Sequence, residues 1–394
     1  MSKKANVINL TPVGSKYAIT TDWFSSILST FNPISDFEQA LEKYEYDGGN
    51  IILKKMKFSA NGFKYGYEII FRRKPFAWVH VCPTSEMIFS KNQMKFELLN
   101  NIHYEIGWCS ELDYLLNAMG WKIDNVSRVD IALDGHKFLE IMTMLFDKKI
   151  EKVGKSSIQF FTNSKMILEG CDIGKRSSDK WVTCYNKSKE LEQSNKFYIR
   201  KSWERAGLDT NNVHRLELKL RNNAIKEIID FDWRKLDNFE YLASIFRTFI
   251  EGGEKINGDT GEVKYSKGLL EFVMKDEQKN VSRKKKITFI DWNYIGGEKL
   301  DRLSTKQANE VWSMKLTAKR MCWIYFQTNR EEFLFTAREI AFNINSLQWL
   351  SDKFDSWKED FEMKKLNGKL EYISKYQRGF ANQQLILKDV ESYF

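Results

Sequence analysis

The chain has 394 residues, of which 42% are hydrophobic and 29% charged. That length allows two or more domains with a sizeable core, and only 4 prolines and 21 glycines leave little sequence for low-complexity segments. The net charge of +9 is compatible with a polyanionic partner, and 14% aromatic residues suit the stacking that single-stranded nucleic acid needs. Core packing also explains most of these rings.

The cysteines argue against a disulfide framework or a zinc site. They are odd in number, widely spaced and without a CxxC pair, as expected of reduced thiols: Cys82, Cys109, Cys171, Cys184 and Cys322. The N-terminal segment lacks the apolar centre of a signal peptide, and no apolar run reaches about 18 residues. We therefore expect a cytoplasmic protein without a membrane segment.

The first hundred residues predict a mixture of strands and helices. Tyr17–Thr30 predicts a strand followed by a short helix, and Ser35–Tyr46 predicts an amphipathic helix. From there the hydrophobic period changes to two over Ile51–Leu99, most clearly in Tyr65–Arg72. This alternation predicts an antiparallel sheet.

Helices and strands continue to alternate up to about residue 225. The predicted helices are Glu111–Met119, Lys137–Asp147 and a segment from Lys187 through Trp203, and the predicted strands are Val126–Leu133, Ser157–Thr162, Trp181–Tyr185 and Val213–Arg221. The fold class predicted from this order is α+β, with a central antiparallel sheet flanked by helices and followed by a mainly helical C-terminal region.

Two of these strands place charges on one polar face. In SRVDIALD, Arg128, Asp130 and Asp134 lie opposite an oily face, because side chains alternate along a strand. In VHRLELKLR, the polar face carries Arg215, Glu217 and Lys219. Each strand thus combines acids and bases on the face away from its leucines and isoleucines.

A third strand delivers a tyrosine to a polar rim. Within Gly170–Glu190, a turn containing Lys175 and Arg176 leads into a strand that ends at Tyr185, and alternation puts Lys187 on the same side. A phenol beside a cation and a phosphate-binding turn can attack a phosphodiester. Taken alone, however, Tyr185 is better explained as a half-buried strand residue chosen for β-propensity and packing.

The functional interpretation depends on whether the three strands share one outward face. If they do, that face holds a nucleophile, cations for phosphate, and two or three carboxylates that could bind a hard divalent cation. The alternative is a ladder of ordinary surface salt bridges. The sequence pattern leaves both open.

Beyond about residue 231 helical patterns dominate. They cover Asn238–Phe249, Thr305–Phe326, Glu331–Asn343 and Ser346–Met363, and are interrupted by the polar span Gly252–Gly268. We place a domain boundary between residues 1–230 and 231–394. The cationic run Arg283–Lys286 is either a contact to DNA backbone or a solvated loop.

Four motifs together resemble the rolling-circle replication initiators and relaxases of the Rep_trans type, which are found in plasmids, phages and integrative elements. They are TDWFS at Thr21–Ser25, SRVDIALD at Ser127–Asp134, IGKRSSDKWVTCYNKSKE at Ile173–Glu190 and HRLELKLR at His214–Arg221. The resemblance covers roughly residues 17–225. It implies a rolling-circle nuclease-like fold and a metal-dependent endonuclease and strand transferase that initiates DNA replication.

The resemblance also implies roles for individual residues. It makes Tyr185 the nucleophile that forms a 5′-phosphotyrosine intermediate and frees a 3′-OH, with Lys187 beside it as a second catalytic residue. Asp130, Glu217 and Asp134 would bind Mg²⁺ or Mn²⁺, since the sequence has no His-hydrophobic-His pair. The residues implied to bind DNA are Arg128, Lys175, Arg176, Arg215 and Lys219.

The expected partner is origin DNA, either single-stranded, cruciform or duplex, and a host helicase and a second copy of the chain are further candidates. Three alternatives remain open: an origin- or operator-binding protein that does not cut, a conjugative relaxase of the same family, and a metal-dependent hydrolase without a covalent intermediate. Residues 1–230 would perform the chemistry, and residues 231–394 would serve DNA recognition, dimerisation or helicase contact.

Overall fold

The computed structural model describes residues 7–9, 16–30, 37, 39–85, 89–256, 263–275, 286–303, 310–344 and 347–366. The chain divides into two compact units, Met1–Lys306 and Gln307–Phe394. The described part of the first unit is built on a large antiparallel sheet, and the described part of the second is helical. The predicted α+β class is therefore confirmed.

The main sheet of the first unit contains eleven strands among the described residues, and every neighbouring pair in it is antiparallel. From one edge to the other, its strands are β10 (Ile158–Thr162), β11 (Leu168–Ile173), β12 (Lys180–Asn186), β13 (His214–Arg221), β8 (Trp121–Gly135), β2 (Ala18–Thr30), β7 (Gln93–Leu98), β6 (Lys74–Pro83), β5 (Phe63–Phe71), β4 (Ile51–Lys55) and β3 (Lys43–Tyr46). The period-two pattern predicted over Ile51–Leu99 is thus confirmed as four adjacent strands.

Two smaller sheets belong to the same unit. One has the order β1 (Val7–Asn9), β17 (Lys286–Thr288), β16 (Phe272–Met274) and β9 (Ile150–Lys152), and the other pairs β14 (Gly252–Ile256) with β15 (Val263–Lys267). The polar span predicted to interrupt the helices therefore contains a β-hairpin. Of the cationic run Arg283–Lys286, only Lys286 lies among the described residues, at the start of β17.

Helices connect and cover the strands. Those of the first unit are α1 (Trp108–Met119), α2 (Phe138–Phe146), α3 (Lys187–Ser194), α4 (Arg200–Arg205), α5 (Asn222–Ile225), α6 (Phe239–Ile250) and α7 (Trp292–Ile295), with short 3₁₀ turns at Asp47–Gly49, Asn100–Tyr104, Phe197–Ile199 and Trp233–Lys235. The α1 helix ends as predicted at Gly120, whose φ of 62° suits glycine.

One face of the central strands packs into the core. The leucines of β13, the Val129, Ile131 and Leu133 side chains of β8, and Val182 and Cys184 of β12 all belong to one hydrophobic cluster. The predicted alternation of oily and polar faces is confirmed in these three strands. Their opposite face carries the charged residues.

Three sequence-based assignments were wrong because tertiary pairing overrides local pattern. Ala18–Thr30 is a single strand that pairs with β8 throughout, without the short helix predicted at its end. Lys43–Tyr46, predicted as the end of a helix, pairs with β4 at the sheet edge. Leu168–Ile173 is a strand, and the predicted turn begins only at Gly174.

The predicted boundary near residue 230 falls inside the first compact unit. Trp233, Leu236 and the α6 helix belong to the same hydrophobic cluster as the central sheet, so the core continues past that point. The physical reason is that the oily face of the sheet needs these later residues as cover. How function divides between the two parts of the chain stays a prediction.

The second unit is a small helical cluster. Its helices are α8 (Glu310–Thr328), α9 (Glu331–Asn343) and α10 (Leu347–Leu366), and they surround a core that includes Cys322, Ala337 and Trp357. The α9 helix has the predicted bounds. In the ranges that the structure describes, no helix combines the length and the apolar character needed to cross a membrane.

Candidate active site

The three strands predicted to carry the site are neighbours and carry their polar side chains on the same face of the sheet. Tyr185 of β12 lies directly opposite Arg215 of β13, which in turn lies opposite Asp134 of β8. In the next rows Thr183 faces Glu217, and Lys219 faces Asp130. The condition set by the sequence pattern, one shared polar face, is therefore met.

The hydroxyl of Tyr185 sits between an acid and a base. It donates a long hydrogen bond of 3.4 Å to Oε2 of Glu217, and Nζ of Lys187 lies 3.5 Å from the phenol oxygen. Lys187 also forms an ion pair of 2.6 Å with Glu190. Tyr185 is half-buried, whereas Lys187 and Glu217 are buried.

This environment keeps the phenol protonated. Burial and the nearby carboxylate of Glu217 raise the pKa of Tyr185 well above its usual value, although Arg215 opposes them. Burial also raises the pKa of Glu217, with further contributions from Asp22 and Asp130 that Lys219 opposes. Burial and the charge of Arg215 lower the pKa of Lys187. Attack by this phenol therefore needs a base, and Glu217 has the position and the raised proton affinity for it.

Arg215 is the fully buried centre of a hydrogen-bonded network. Its Nε and Nη2 each donate to Asp134 at 2.7 Å, its Nη1 donates to Asp22 at 2.9 Å, and Nη2 also donates to the Tyr104 hydroxyl at 3.2 Å. Trp203 donates its indole N–H to Asp134 at 2.6 Å. Arg215, predicted to meet a phosphate, instead lies below the surface at 0% exposure.

Asp22 is the main site residue that sequence reasoning missed. The pairing of β2 with β8 shifts by one residue between Thr21 and Trp23, so Asp22 and Trp23 both reach the polar face. Burial by itself raises the pKa of Asp22, but the charges of Arg215 and Lys187 and the hydrogen bond from Tyr104 outweigh it and lower the pKa. The only signal in the sequence was its place in the TDWFS motif.

The carboxylates predicted to bind a metal are engaged by cations of the protein. Arg128 donates to both oxygens of Asp130, at 2.8 and 2.5 Å, and Lys219 Nζ lies 3.4 Å from Oδ2 of Asp130 while also pairing with Oε1 of Glu217. Asp134 is held by Arg215, as described above. Within the described part of the chain, no group of three or more His, Cys, Asp or Glu side chains is placed to hold a metal ion. The donor set therefore does not fit a divalent cation in this arrangement.

A row of alternating cations and rings runs beside the site. The guanidinium of Arg128 lies 5.1 Å from the ring of Trp23 and 5.8 Å from that of Trp181, and the guanidinium of Arg221 lies 5.2 Å from the ring of Trp181. Arg221 is exposed and Arg128 and Trp23 are partly so, whereas Trp181 is buried. The two guanidinium groups of this ledge can contact a phosphate backbone, and the ring of Trp23 can stack on a base.

The turn between β11 and β12 presents the predicted basic pair. Lys175 and Arg176 are exposed, and Arg176 reaches back to Oδ2 of the buried Asp172 at 2.6 Å. Thr183 donates to the other oxygen of Asp172 at 2.8 Å. Asp172, which sequence reasoning did not single out, thus anchors the turn to the sheet.

Tyr185 lines a small cavity of about 170 Å³ with Asn186, Lys189 and Glu190 among its walls. A larger cavity of about 720 Å³ opens elsewhere in the unit, beside Tyr17, His103 and Phe239, and does not include Tyr185. The smaller cavity is lined by Tyr185 but by neither Glu217 nor Lys187, so the candidate site is defined by the contacts of the Tyr185 hydroxyl and not by a cavity. Volume alone carries no chemistry.

No family model matches the sequence, and no curated protein matches it. Among solved structures, the chain is similar to a rolling circle replication initiator protein from Geobacillus stearothermophilus, with 16% identity and a TM-score of 0.40 over 71% of this chain and 96% of that chain. At this level of similarity the match assigns no role to any residue of this chain.

Proposed function

We propose that the protein nicks one strand of DNA through Tyr185 and later rejoins it, as an initiator of rolling-circle replication does. The observation that carries the proposal is the Tyr185 hydroxyl between Oε2 of Glu217 and Nζ of Lys187, at 3.4 and 3.5 Å. A structural tyrosine would not require a buried base of raised pKa on one side and a buried cation on the other.

The chemistry follows from these contacts. Glu217 takes the phenol proton as the oxygen of Tyr185 attacks phosphorus, and the bond from phosphorus to the 3′ oxygen breaks on the opposite side. The leaving oxygen takes a proton from water and becomes a 3′-OH. Lys187 offsets the negative charge that develops near the phenol oxygen. The DNA is left joined to Tyr185 through its 5′ phosphate, so the reverse reaction can reseal the strand.

DNA is the proposed substrate because the surface beside Tyr185 is cationic and aromatic. The ledge of Trp23, Arg128, Trp181 and Arg221 and the exposed Lys175 lie on the strands and turn that border the site. A single strand lying there would place a phosphate near Tyr185, with a base against the partly exposed ring of Trp23. Binding should weaken steeply with salt.

The remaining functional assignments belong to the same proposal. A free 3′-OH serves a polymerase directly, which suits initiation of plasmid or phage replication as well as the strand transfer of a relaxase. Origin DNA is the proposed partner, and the residues beyond about 230 are proposed to contribute origin recognition, self-association or helicase contact. The requirement for Mg²⁺ or Mn²⁺ that the resemblance implies is not part of this proposal, and no step above uses a metal ion.

A DNA-binding protein that does not cut is the second candidate, and one observation favours it. Asp130, Asp134 and Asp172 are all paired with guanidinium groups, as expected if the carboxylates only hold the sheet face together. That alternative gives Tyr185 no covalent role. It predicts DNA affinity without any protein-linked product.

The two candidates separate in a single assay. The protein is incubated with a random-sequence library of single-stranded DNA labelled at its 3′ end, with Mn²⁺ or with EDTA, and run on a denaturing gel. We expect label at protein size for the wild type, none for Tyr185→Phe, and strongly reduced label for Glu217→Gln. Tyr198→Phe is the matched control, since its hydroxyl bonds Asn100 and not the site carboxylate. Label that survives in Tyr185→Phe would move the nucleophile elsewhere, and no label in the wild type would favour the non-cutting candidate.

A further inference from the structure

The carboxylates of Asp130 and Glu217 lie on neighbouring strands of the same face and share one cation. Lys219 is the direct cross-strand partner of Asp130, and Glu217 stands two residues before it on the same face. The ammonium of Lys219 contacts Oδ2 of Asp130 at 3.4 Å and pairs with Oε1 of Glu217. The nitrogen therefore stands where a cation bridging the two carboxylates would have to bind.

We propose that Lys219 is a built-in substitute for a divalent cation at this carboxylate pair. This inference rests on the proposed nicking function only for its catalytic consequence. Whether Lys219 occupies the cation position between Asp130 and Glu217 does not depend on whether the protein cuts DNA.

Charge balance supports this substitution. Asp130 and Glu217 carry two negative charges at most, and Lys219 and Arg128 bring two positive charges to the same oxygens. Mg²⁺ or Mn²⁺ bound between the carboxylates would need oxygen ligands at roughly 2.0–2.2 Å, and so would have to displace the ammonium. With Asp130 at 1% and the Lys219 side chain at 14% exposure, there is little solvent to receive the displaced group.

Lys219 also orients the proposed base. Because the ammonium holds Oε1 of Glu217, the other oxygen, Oε2, is left facing the Tyr185 hydroxyl. A bridging metal could orient a carboxylate in the same way. Lys219 is therefore a positioning residue, acting on Tyr185 through Glu217, and its earlier assignment as a DNA contact is not needed for this role.

Metal binding by the full-length protein tests the inference without any activity assay. Mn²⁺ is titrated into the wild type, Lys219→Met and the double variant Lys219→Met with Glu217→Gln, and free Mn²⁺ is followed by electron paramagnetic resonance. We expect Lys219→Met to bind Mn²⁺ at least about tenfold more tightly than the wild type, since Asp130 and Glu217 lose the ammonium that they share while Asp130 keeps Arg128. The double variant should lose this gain. Lys219→Arg, which keeps the charge, should resemble the wild type.

Two results would overturn the proposal. The first is a Mn²⁺ site in the wild type that Glu217→Gln or Asp130→Asn removes, a measurement that does not depend on whether Lys219→Met folds. The second is a folded Lys219→Met with no gain in affinity. The nicking assay adds a separate reading: EDTA should not change the wild-type adduct, whereas Lys219→Met should need Mn²⁺ to form it. A wild type that forms no adduct at all contradicts the proposed function but leaves the metal titration as it stands.

Discussion

Arg215 offers the sharpest test of the buried network, through the substitution Arg215→Met. Its guanidinium makes two bonds of 2.7 Å to Asp134 and one of 2.9 Å to Asp22, at 0% exposure. Methionine fills much of the same space but, among the described residues, leaves Asp134 with the Trp203 indole as its side-chain hydrogen-bond donor. Removing one partner of a buried ion pair typically costs about 3–5 kcal/mol of unfolding free energy, and we expect that range here.

The matched control is Arg234→Met. Arg234 pairs with Asp113 at 3.0 Å, but both side chains are exposed, at 61% and 38%. Such a surface pair contributes at most about 1 kcal/mol. Urea denaturation followed by tryptophan fluorescence compares the two variants. The quantity measured is the shift of each variant's unfolding midpoint from that of the wild type. If Arg215→Met shifts it no more than Arg234→Met does, the network does not stabilise the sheet as described. Adding Asp134→Leu to Arg215→Met should recover part of the loss, because the stranded carboxylate is then gone.

Three further outcomes follow from the structure. A fragment ending at residue 306 should fold, whereas a fragment ending at residue 230 should be insoluble or unfolded, because the hydrophobic core extends past residue 230. A fragment ending at residue 230 that is soluble and unfolds cooperatively would contradict this. Burial lowers the pKa of His103 from 6.5 to about 4, so the unfolded chain binds the proton first and the free energy of unfolding should decrease as pH falls from 6.5 to about 4. His103→Leu should make the unfolding midpoint depend less on pH across this range. Gly170→Ala would bring a Cβ within 2.7 Å of the Cys184 carbonyl oxygen, beside Tyr185, so adduct formation and the free energy of unfolding should both decrease. Gly253→Ala is the control and should leave both unchanged, because the nearest atom to its Cβ would be 3.6 Å away.

The sequence predicted the central strands well because their pattern is strong and local. In β8 and β13, branched aliphatic residues and leucines alternate with charges over seven or more positions, so the buried face is unambiguous. The edge strands were harder. Lys43–Tyr46 has polar and aromatic residues that suit either structure, and only pairing with β4 decides the outcome. Leu168–Ile173 contains Gly170, whose small size is needed opposite Tyr185 and hides the strand pattern.

Asp22 shows a different limit. Strand alternation predicts side-chain faces only while the register is regular, and the shift between Thr21 and Trp23 is a property of the pair β2 and β8. No local residue preference marks it. The alternation of side chains along the strand therefore could not predict that Asp22 would bind Arg215, although it did predict the strand that carries Asp22.

An arginine stands two residues before an acid in both strands, as Arg128 and Asp130 in β8 and as Arg215 and Glu217 in β13. The two arginines nevertheless pair differently, and the difference bears on the chemistry. Arg128 turns to Asp130 within its own strand, since its other neighbours are the rings of Trp23 and Trp181. Arg215 instead lies between β12 and β8, directly opposite Asp134, and pairs across the sheet.

The cross-strand pairing of Arg215 leaves Glu217 without a guanidinium. Within the described part of the chain, the cation paired with Glu217 is Lys219, on Oε1, so Oε2 stays available to the Tyr185 hydroxyl. Had Arg215 paired with Glu217 as Arg128 does with Asp130, a bidentate guanidinium would have covered both oxygens and opposed the rise in the pKa of Glu217. The base at this site thus depends on Asp134 holding Arg215 away, and Asp134 has a role there that needs neither a metal nor contact with DNA.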